Sequence, residues 1–436
     1  MTKTYDFVAV GLGPFNLGLA CLTDPITELD GLFLERKPEF DWHPGMMLRG
    51  TTLQTPFMAD LVTMADPTSA YSFLNYLKQC GRLYPFYIRE SFFLLREEFN
   101  AYCRWACDRL TGIRFGQQVT SITYDPVDAV YLVHSTCVRT GEQSAHRARR
   151  IVLGTGTPPY VPASCTGLNG PVVHNSDYLD AKRLLQGLRS ITIVGSGQSA
   201  AEIYRDLLTD LDLGYRLNWV TRSPRFFPLE YTKLTLELTS PEYCDYFHDL
   251  PADRRDALLR SQRNLYKGIN GDLIDEIYDE LYAASVTREP ATTLLTNTSV
   301  ESADYDDESR LFTLGLRNIE QDSTFVLDTE GLVLATGYAY RTPDFIDPIR
   351  HLLRFDDAGR FDVDRRYSVD AQQRVFVQNA EAHTHGFVAP DLGMASYRNS
   401  IIIAEMTGTE HYPVERRIAF QEFGEPRSGT MLGARP

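Results

Sequence analysis

Short apolar runs that lead into glycine-rich turns occur twice in the chain, and each has the pattern of a strand followed by a helix. The first run, residues 5–10, precedes the turn GLGPFN at residues 11–16, and the second, residues 191–194, precedes GSGQSAA at residues 195–201. Further buried strands are predicted at residues 32–35 and 217–220. Each turn therefore lies in a βαβ unit, and the pattern predicts two Rossmann-like dinucleotide-binding domains.

The pattern changes between and after these units. Residues 119–153 alternate like antiparallel strands, whereas residues 224–290 are predicted to be helical and are rich in aromatic and charged side chains. Further elements are predicted as strands at 332–334 and 375–377, a loop at 383–390 and a helix at about 393–407. This order predicts an α/β fold in which the second nucleotide-binding domain is inserted into a discontinuous first one. The predicted ranges are 1–165 with 335–436 for the first domain, 166–224 with 291–334 for the second, and 225–290 for a mainly helical substrate-binding segment.

The residues of the first turn suit a pyrophosphate group at the N-terminus of a helix. Gly11 permits a sharp turn, Gly13 leaves room for a phosphate beside free N–H groups, and Pro14 fits a first helical turn. Glu35 ends the next strand, where an acid accepts a hydrogen bond from a ribose hydroxyl. Asn16 stands in the place of the usual third glycine, so the simple fingerprint is imperfect. The alternative is a tight turn that binds no ligand.

The second turn matches the fingerprint better, because Ala200 or Ala201 lies near the third small position after Gly195 and Gly197. The strand that follows ends near Arg222 rather than near an acid. An arginine there favours a 2′-phosphate, and hence NADP(H) over NAD(H), although an exposed loop arginine is the alternative. Two dinucleotide sites in one chain favour hydride transfer from a nicotinamide to a flavin.

Composition narrows the class of protein. The 436 residues are 43% hydrophobic and 23% charged, as is typical of globular chains. The net charge of −15 argues against a nucleic-acid partner, because phosphate binding needs a basic face. An acidic surface suits a cationic substrate, and solubility explains it equally well.

The candidate metal and redox residues lack the partners that such sites need. The seven cysteines include no Cys-x-x-Cys pair, and His383 and His385 are two residues apart without an evident third ligand. No apolar run reaches the roughly 18 residues that span a bilayer, and no basic leader precedes the first strand. We therefore expect a reduced, soluble, cytoplasmic protein without a metal or a membrane partner.

Further motifs occur in a fixed order along nearly the whole chain. They are Trp42-His43-x-Gly45-Met46, Leu53-Gln54-Thr55, YSFLNYL at residues 71–77, Gly154-Thr155-Gly156, Ala335-Thr336-Gly337-Tyr338 and Thr384-His385-Gly386. Together with the two glycine turns, they resemble the flavin-dependent N-hydroxylating monooxygenases of hydroxamate siderophore biosynthesis, the lysine and ornithine N-monooxygenase family. The Gly13-Pro14-x-Asn16 form of the first turn is typical of the family that the chain resembles.

The resemblance implies FAD in the first domain and NADPH in the second. In the family, NADPH reduces FAD, reduced flavin and O2 form a C4a-hydroperoxide, and a neutral primary amine takes up the distal oxygen to become a hydroxylamine. Gln54 is the catalytic residue that the resemblance implies, because it would help to hold the flavin and its peroxide. The cofactor-binding residues implied are Gly11, Gly13, Pro14, Asn16, Glu35, Trp42, His43, Gln54, Gly195, Gly197, Gln198, Ser199, Arg222, Thr336, Tyr338, His385 and Leu392.

Departures from the family pattern limit the range of possible substrates. Family members that act on amino acids carry a lysine for the substrate carboxylate at the position of Ala59. Asparagines of the ornithine enzymes align with Leu236 and Leu265, and a Leu-Ser pair resembles Leu392-Gly393. A buried carboxylate without a cation is costly. The sequence therefore predicts a substrate without a carboxylate, an aliphatic diamine such as cadaverine or putrescine.

The acid that would attract the distal ammonium of a diamine is left open among Asp60, Glu230 and Glu237. L-Lysine, and then L-ornithine, are the alternative substrates, since Lys233 is a possible substitute for the missing cation. A non-siderophore flavin monooxygenase, an NAD(P)H reductase and a non-enzymatic nucleotide-binding regulator are the alternative classes. The family further implies a homo-oligomer, dimer or tetramer, with a siderophore acyltransferase and a synthetase as pathway neighbours only.

Overall fold

The structure is a computed structural model that describes residues 3–415 and 417–425. The outermost residues of the predicted ranges 1–165 and 335–436 lie outside the described residues. The strands are β1 (Thr4–Val10), β2 (Gly31–Leu34), β3 (Thr52–Pro56), β4 (Phe93–Leu95), β5 (Ile113–Arg114), β6 (Gln117–Asp125), β7 (Val130–Cys137), β8 (Gln143–Leu153), β9 (Val172–His174), β10 (Ser190–Val194), β11 (Arg216–Val220), β12 (Thr292–Leu295), β13 (Thr298–Asp306), β14 (Leu311–Asn318), β15 (Ser323–Thr329), β16 (Gly331–Leu334) and β17 (Val375–Val377).

Most of the helices in the described residues lie between these strands, two α-helices follow the last strand, and five α-helices lie within residues 233–285. The α-helices are α1 (Pro14–Thr23), α2 (Phe73–Gln79), α3 (Leu83–Arg89), α4 (Arg96–Cys107), α5 (Tyr178–Gln186), α6 (Gln198–Leu208), α7 (Lys233–Leu236), α8 (Pro241–Asp249), α9 (Ala252–Ser261), α10 (Asn264–Lys267), α11 (Gly271–Ser285), α12 (Ala382–His385) and α13 (Ala395–Thr407). Short 3-10 helices cover Pro44–Met46, Ala163–Cys165, Asn175–Asp177, Leu211–Leu213, Asp344–Leu352 and Leu392–Met394.

The first sheet has the order β5-β2-β1-β8-β7-β6, and β17 also pairs with β8. Strand β1 is parallel to β2 and β8, and its last four residues are buried, as expected for an apolar strand covered on both faces. Strand β8 is long enough to serve two pairings, because residues 143–148 run antiparallel to β7 and residues 151–153 run parallel to β17. The last strand of this sheet, β17, therefore comes after all strands of the second sheet in the sequence.

The second sheet has the order β12-β11-β10-β16-β9 and is parallel throughout. Its helix α6 follows β10 directly and packs its apolar face into the core beneath the sheet, with Ala200, Ala201 and Ile203 fully buried. Strands β13, β14 and β15 form a separate antiparallel sheet. Both βαβ units thus form where the glycine turns predict them.

One local prediction is wrong. Residues 383–390 were expected to form a loop, whereas α12 covers Ala382–His385. The backbone N–H groups of Thr384 and His385 both donate to the carbonyl oxygen of Glu381, which closes a helical turn over a stretch with no helical periodicity.

Candidate active site

The first glycine turn joins β1 to α1 and leaves an open space in front of the helix. Gly11 has φ +86°, and a Cβ there would lie 2.5 Å from the carbonyl oxygen of Gly154, so only glycine fits. Gly13 is the N-cap of α1, and a Cβ there would meet no protein atom within 4 Å. Because Gly13 has no side chain to cap the helix, the first-turn N–H groups remain available to an anion.

Asn16 explains the missing third glycine. Its side chain is 1% exposed and donates from Nδ2 to the carbonyl oxygen of Gly11 at 2.6 Å. Its Oδ1 accepts from Nε2 of Gln378, just after β17, at 2.8 Å. A Cβ on Gly154 would lie 2.4 Å from Nδ2 of Asn16. Asn16 therefore links the turn to the residue that follows β17, and Gly154 is required because the side chain of Asn16 packs over it.

Glu35 lies at the end of β2, beside the first turn. Its Oε2 accepts from the backbone N–H of Leu12 at 2.7 Å, and its Oε1 accepts from that of Lys37 at 2.9 Å. An ionised carboxylate has about four acceptor positions, so both oxygens can accept another hydrogen bond. The side chain is thus fixed in place next to the turn where the sequence predicts a ribose.

The second glycine turn joins β10 to α6. A Cβ on Gly195 would lie 2.2 Å from the carbonyl oxygen of Ala335, and Gly197 is the N-cap of α6 without a capping side chain. Ser199 lies in the first turn of α6 and is partly buried. This helix therefore also presents free N–H groups at its start.

Basic side chains gather near the second turn. Arg222 follows β11 and is exposed, and Lys267 of α10 lies close to the turn, with its carbonyl oxygen 3.6 Å from the position of a Cβ on Gly197. Burial, and then the charges of Arg263 and Arg222, lower the pKa of Lys267. Clustered cations that repel one another provide a site for a phosphate dianion. Arg222 is predicted from its place just after the end of β11, whereas no motif in the sequence points to Lys267 or Arg263.

A row of rings connects the first sheet to the second. The ring of Trp42 lies 4.9 Å from that of His43, His43 lies 5.6 Å from Tyr338, and Tyr338 lies 5.3 Å from His174. Desolvation by the surrounding protein, and then the positive charges of Arg96 and Lys37, lower the pKa of His43. Thr336, two residues before Tyr338, donates to the carbonyl oxygen of Tyr160 at 2.5 Å. The predicted residues Trp42, His43 and Tyr338 are thus brought together.

Gln54 lies on β3, next to the start of α6 at the second glycine turn. Its Nε2 donates to Oε1 of Gln198 at 3.2 Å and to the carbonyl oxygen of Gly268 at 3.4 Å. Both contacts involve Nε2, so Oε1 is left to accept a hydrogen bond. Gln198 in turn donates to Glu202 at 2.8 Å, and Glu202 forms a bidentate ion pair with Arg96 at 2.7 and 2.8 Å. A continuous network therefore links Gln54 to the helix that starts at the second turn.

The predicted substrate residues Ala59 and Gly393 lie next to each other. A Cβ on Gly393 would lie 3.9 Å from that of Ala59 and 3.1 Å from Oδ1 of Asp391. Leu392 begins the 3-10 helix of this loop and packs against the core of the first sheet. Ala59 has no side-chain atom beyond its Cβ and Gly393 has none, so neither residue places a cation in the space between them, called the gap below. The gap is bordered by the carboxylate of Asp391, to which no sequence motif points.

The other predicted substrate residues lie in the helical segment. Leu265 packs into the cluster that joins α8 to Phe387 and Met394, whereas Leu236 at the end of α7 is 38% exposed. The carboxylate of Glu237 accepts hydrogen bonds from the backbone N–H groups of Phe420 and Gln421 at 2.9 and 3.0 Å. Glu237 is thus already bonded to the segment 417–425.

His385 is 1% exposed and stacks on Tyr367 at 4.5 Å between ring centres. Its Nδ1 is paired with the hydroxyl of Thr384 at 2.9 Å, whereas its buried Nε2 has no partner. Burial lowers the pKa of His385 well below its usual value, so the ring is neutral. This side chain is thus enclosed by the protein, and its role in binding a cofactor stays a prediction.

The residues present fit FAD at the first turn and NADPH at the second. Around the first turn, buried acceptors have no partner among the described residues, namely Oε1 of Gln378, which contacts Asn16, and Oδ1 of Asn399, whose Nδ2 donates to Phe15. Hydroxyl groups of a ribityl chain are suitable donors for such atoms. At the second turn, the basic cluster suits a 2′-phosphate.

Three structural findings bear on other classes of protein. All seven cysteines lie within the described residues and are free, so none forms a disulfide there. Within the same residues, no group of three or more His, Cys, Asp or Glu side chains is placed to hold a metal ion. No helix in the described chain is long and apolar enough to cross a membrane.

Comparison with known proteins adds independent evidence. The family model described as L-lysine 6-monooxygenase/L-ornithine 5-monooxygenase matches residues 3–340. The chain is 50% identical to the putrescine N-hydroxylase of Shewanella oneidensis over 420 residues, which are 96% of this chain and 84% of that protein.

Solved structures agree with this match. The FAD-bound cadaverine monooxygenase DfoA of the desferrioxamine pathway from Erwinia amylovora is 55% identical, with a TM-score of 0.96 over 98% of this chain and 99% of that one. The ornithine N-hydroxylase of Kutzneria sp. 744, solved with reduced FAD, NADP+ and L-ornithine, is 29% identical, with a TM-score of 0.84 over 93% and 99%. These matches confirm the predicted fold class, and the chain belongs to the L-lysine 6-monooxygenase/L-ornithine 5-monooxygenase family.

Proposed function

We propose that this enzyme is an FAD- and NADPH-dependent monooxygenase that hydroxylates one primary amine of an aliphatic diamine, cadaverine or putrescine, for hydroxamate siderophore biosynthesis. The observation that carries the substrate class is the gap at Ala59 and Gly393, which is bordered by the carboxylate of Asp391. A substrate carboxylate there would meet a like charge and would lack a cation, which is costly in a buried site. A second amine suits the same position.

The overall reaction consumes one amine, one O2, one NADPH and one proton, and yields one hydroxylamine, one water and one NADP+. When bound, FAD accepts the hydride of NADPH and activates O2 for transfer of one oxygen atom to nitrogen. Gln54 would hold the reacting region through its free Oε1, since Gln198 and Gly268 fix its amide. The protein therefore supplies position and exclusion of water, and no covalent nucleophile is involved.

The reacting amine must be neutral to attack. A free primary amine has a pKa near 10, and a poorly solvated pocket lowers it because burial disfavours the ammonium. Ala59 is 7% exposed, and the neighbouring Leu61 and Val62 are 2% and 0% exposed. The apolar side of the gap thus suits the carbon chain of a diamine, and its acidic side suits the amine that stays charged.

The basic cluster at the second turn supports NADPH as the reductant. Arg222, Arg263 and Lys267 would share the 2′-phosphate, and the N-terminus of α6 would receive the pyrophosphate. Glu35 and the N-terminus of α1 would take the ribose and the pyrophosphate of FAD in the same way.

The test is NADPH oxidation measured together with hydroxylamine formation, with added FAD, for cadaverine, putrescine, L-lysine and L-ornithine. We expect hydroxylamine from the diamines. Activity on lysine that exceeds activity on cadaverine tenfold or more would contradict the diamine assignment, and NADPH oxidation without hydroxylamine from any amine would contradict N-hydroxylation. A homo-oligomer and the acyltransferase and synthetase as pathway neighbours stay predictions from the family resemblance.

A further inference from the structure

Asp391 borders the gap between Ala59 and Gly393 and is fixed there by the backbone. It is the N-cap of the 3-10 helix Leu392–Met394, and its Oδ1 accepts from the N–H of Gly393 at 2.6 Å. Its own N–H donates to the carbonyl oxygen of Val388 at 3.0 Å. The side chain is only partly exposed, so the carboxylate cannot move freely into solvent. The loop therefore presents this carboxylate to the gap in one orientation.

The carboxylate of Asp391 lacks a cationic partner among the described residues. Burial raises its pKa, and the N–H of Gly393 is the neighbour that opposes this effect. The nearby Tyr231, whose ring lies 6.0 Å from that of Phe93, has its pKa raised by burial and then by the charge of Asp391. A poorly solvated carboxylate with an unused oxygen gains most from a cation that arrives beside it.

The other acids that the sequence analysis offered are engaged or exposed. Asp60 is 4% exposed and already accepts hydrogen bonds from the N–H groups of Val62, Thr63 and Phe73 and from the hydroxyl of Thr63. Glu237 accepts from the segment 417–425, and Glu230 is exposed to solvent. Asp60 and Glu237 hold the protein's own backbone, whereas Asp391 keeps an oxygen free.

We propose that Asp391 binds the distal ammonium of the diamine and thereby selects diamines over amino acids and over monoamines. This inference rests on the proposed function, and it names Asp391 as the residue that makes the enzyme specific for diamines. The ammonium would occupy the gap left by Ala59 and Gly393, where the substrate's second charge is compensated. An amino-acid substrate would bring a carboxylate towards Asp391, and the like charges would repel each other.

The role of the distal ammonium can be tested on the unmodified enzyme with two amines. Cadaverine and n-pentylamine have the same carbon chain, and pentylamine lacks the distal ammonium. We expect kcat/KM for cadaverine to exceed that for pentylamine by about 10-fold or more, as for one charge-assisted hydrogen bond. Equal values for the two amines would overturn the assignment of a distal cation site.

The variant Asp391→Asn tests the residue itself. Asparagine retains an acceptor for the N–H of Gly393, so the loop is preserved while the charge is removed. We expect kcat/KM for cadaverine to fall about 10- to 100-fold, mainly through KM, and that for pentylamine to change less than about threefold. The matched control is Asp253→Asn, which removes an exposed acid from the first turn of α9 and should leave both values unchanged.

Flavin reduction by NADPH, measured without an amine, shows whether a variant has lost only substrate binding or has lost cofactor binding as well. If Asp391→Asn reduces its flavin normally and still prefers cadaverine as strongly as the unmodified enzyme does, the role of Asp391 is refuted. If Glu237→Gln abolishes the preference and Asp391→Asn does not, the distal ammonium lies at Glu237 instead. If the unmodified enzyme forms no hydroxylamine from any amine, the proposed function itself fails.

Discussion

The ion pair between Arg96 and Glu202 offers a test of how the two nucleotide sites are coupled. Arg96 begins α4 and Glu202 lies on α6, with side chains 13% and 2% exposed. Removal of one member of a buried pair costs about 3–5 kcal/mol, because it leaves a charge without its partner. We therefore expect Arg96→Met and Glu202→Met each to lower the free energy of unfolding by about 3–5 kcal/mol.

The double variant is expected to lose far less than the sum of the two, because two apolar side chains of similar volume replace the pair. Denaturant unfolding of the four proteins gives this coupling free energy directly. Additive losses of stability would refute the argument that the two side chains stabilise each other.

The same variants separate stability from positioning. Glu202 also accepts from Nε2 of Gln198, whose Oε1 accepts from Gln54. Variants that lack Glu202 should form several-fold less hydroxylamine per NADPH oxidised, and the double variant should keep this defect although its stability recovers. Arg96→Met is the matched control, because it retains the contact between Glu202 and Gln198. Equal yields in all variants would show that Gln54 does not depend on this network.

Three further predictions concern the cofactor sites and pH. Lys267→Met and Arg222→Met should each raise the Kd for NADPH about 10-fold or more, because each removes a cation from the 2′-phosphate. The Kd for NADH should change little, because NADH lacks this phosphate. Flavin reduction at varied nucleotide concentration measures both Kd values, and equal effects on the two would contradict the assignment. Gly13→Ala should leave the unfolding of the apoprotein unchanged, since its Cβ meets no protein atom, and should weaken FAD binding in a fluorescence titration. His385 is 1% exposed, and burial lowers its pKa well below the usual value. It therefore binds a proton in the unfolded state first, so stability should fall as the pH drops below about 6.5. The thermal midpoint measures this, and a His385→Gln variant with the same slope would refute the role of His385.

The sequence predicts those parts of the fold that depend on local pattern. The strand, glycine turn and helix at Gly11 and at Gly195 are encoded within about 30 residues, and burial of the short apolar runs leaves few alternatives. In the sequence alone, Asn16 departs from the fingerprint without a visible reason. The reason is its hydrogen bond with Gln378, which lies 362 residues later in the chain. Long-range partners of this kind leave no periodic signal in a single sequence.

The remaining parts of the site depend on packing between segments. Lys267 lies on a four-residue helix, and only the fold brings it next to Arg222. In the sequence, Asp391 is an ordinary acidic residue of a loop. Only the fold shows that it lies beside Gly393 and that Gly393 lies beside Ala59. Glu237 is one of three acids that the sequence leaves open for the distal ammonium, and only the fold shows that backbone N–H groups of a distant segment donate to its carboxylate.

The bond between Asn16 and Gln378 has a consequence for how the enzyme is made. On the ribosome, the residues of the first turn emerge early, whereas β17 and Gln378 follow only after the whole second sheet has been synthesised. A nascent chain that ends before this point has β1 and the glycine turn, but it lacks the strand that completes the sheet and the amide that fixes Asn16. We therefore expect FAD to bind stably only after β17 and Gln378 have been synthesised.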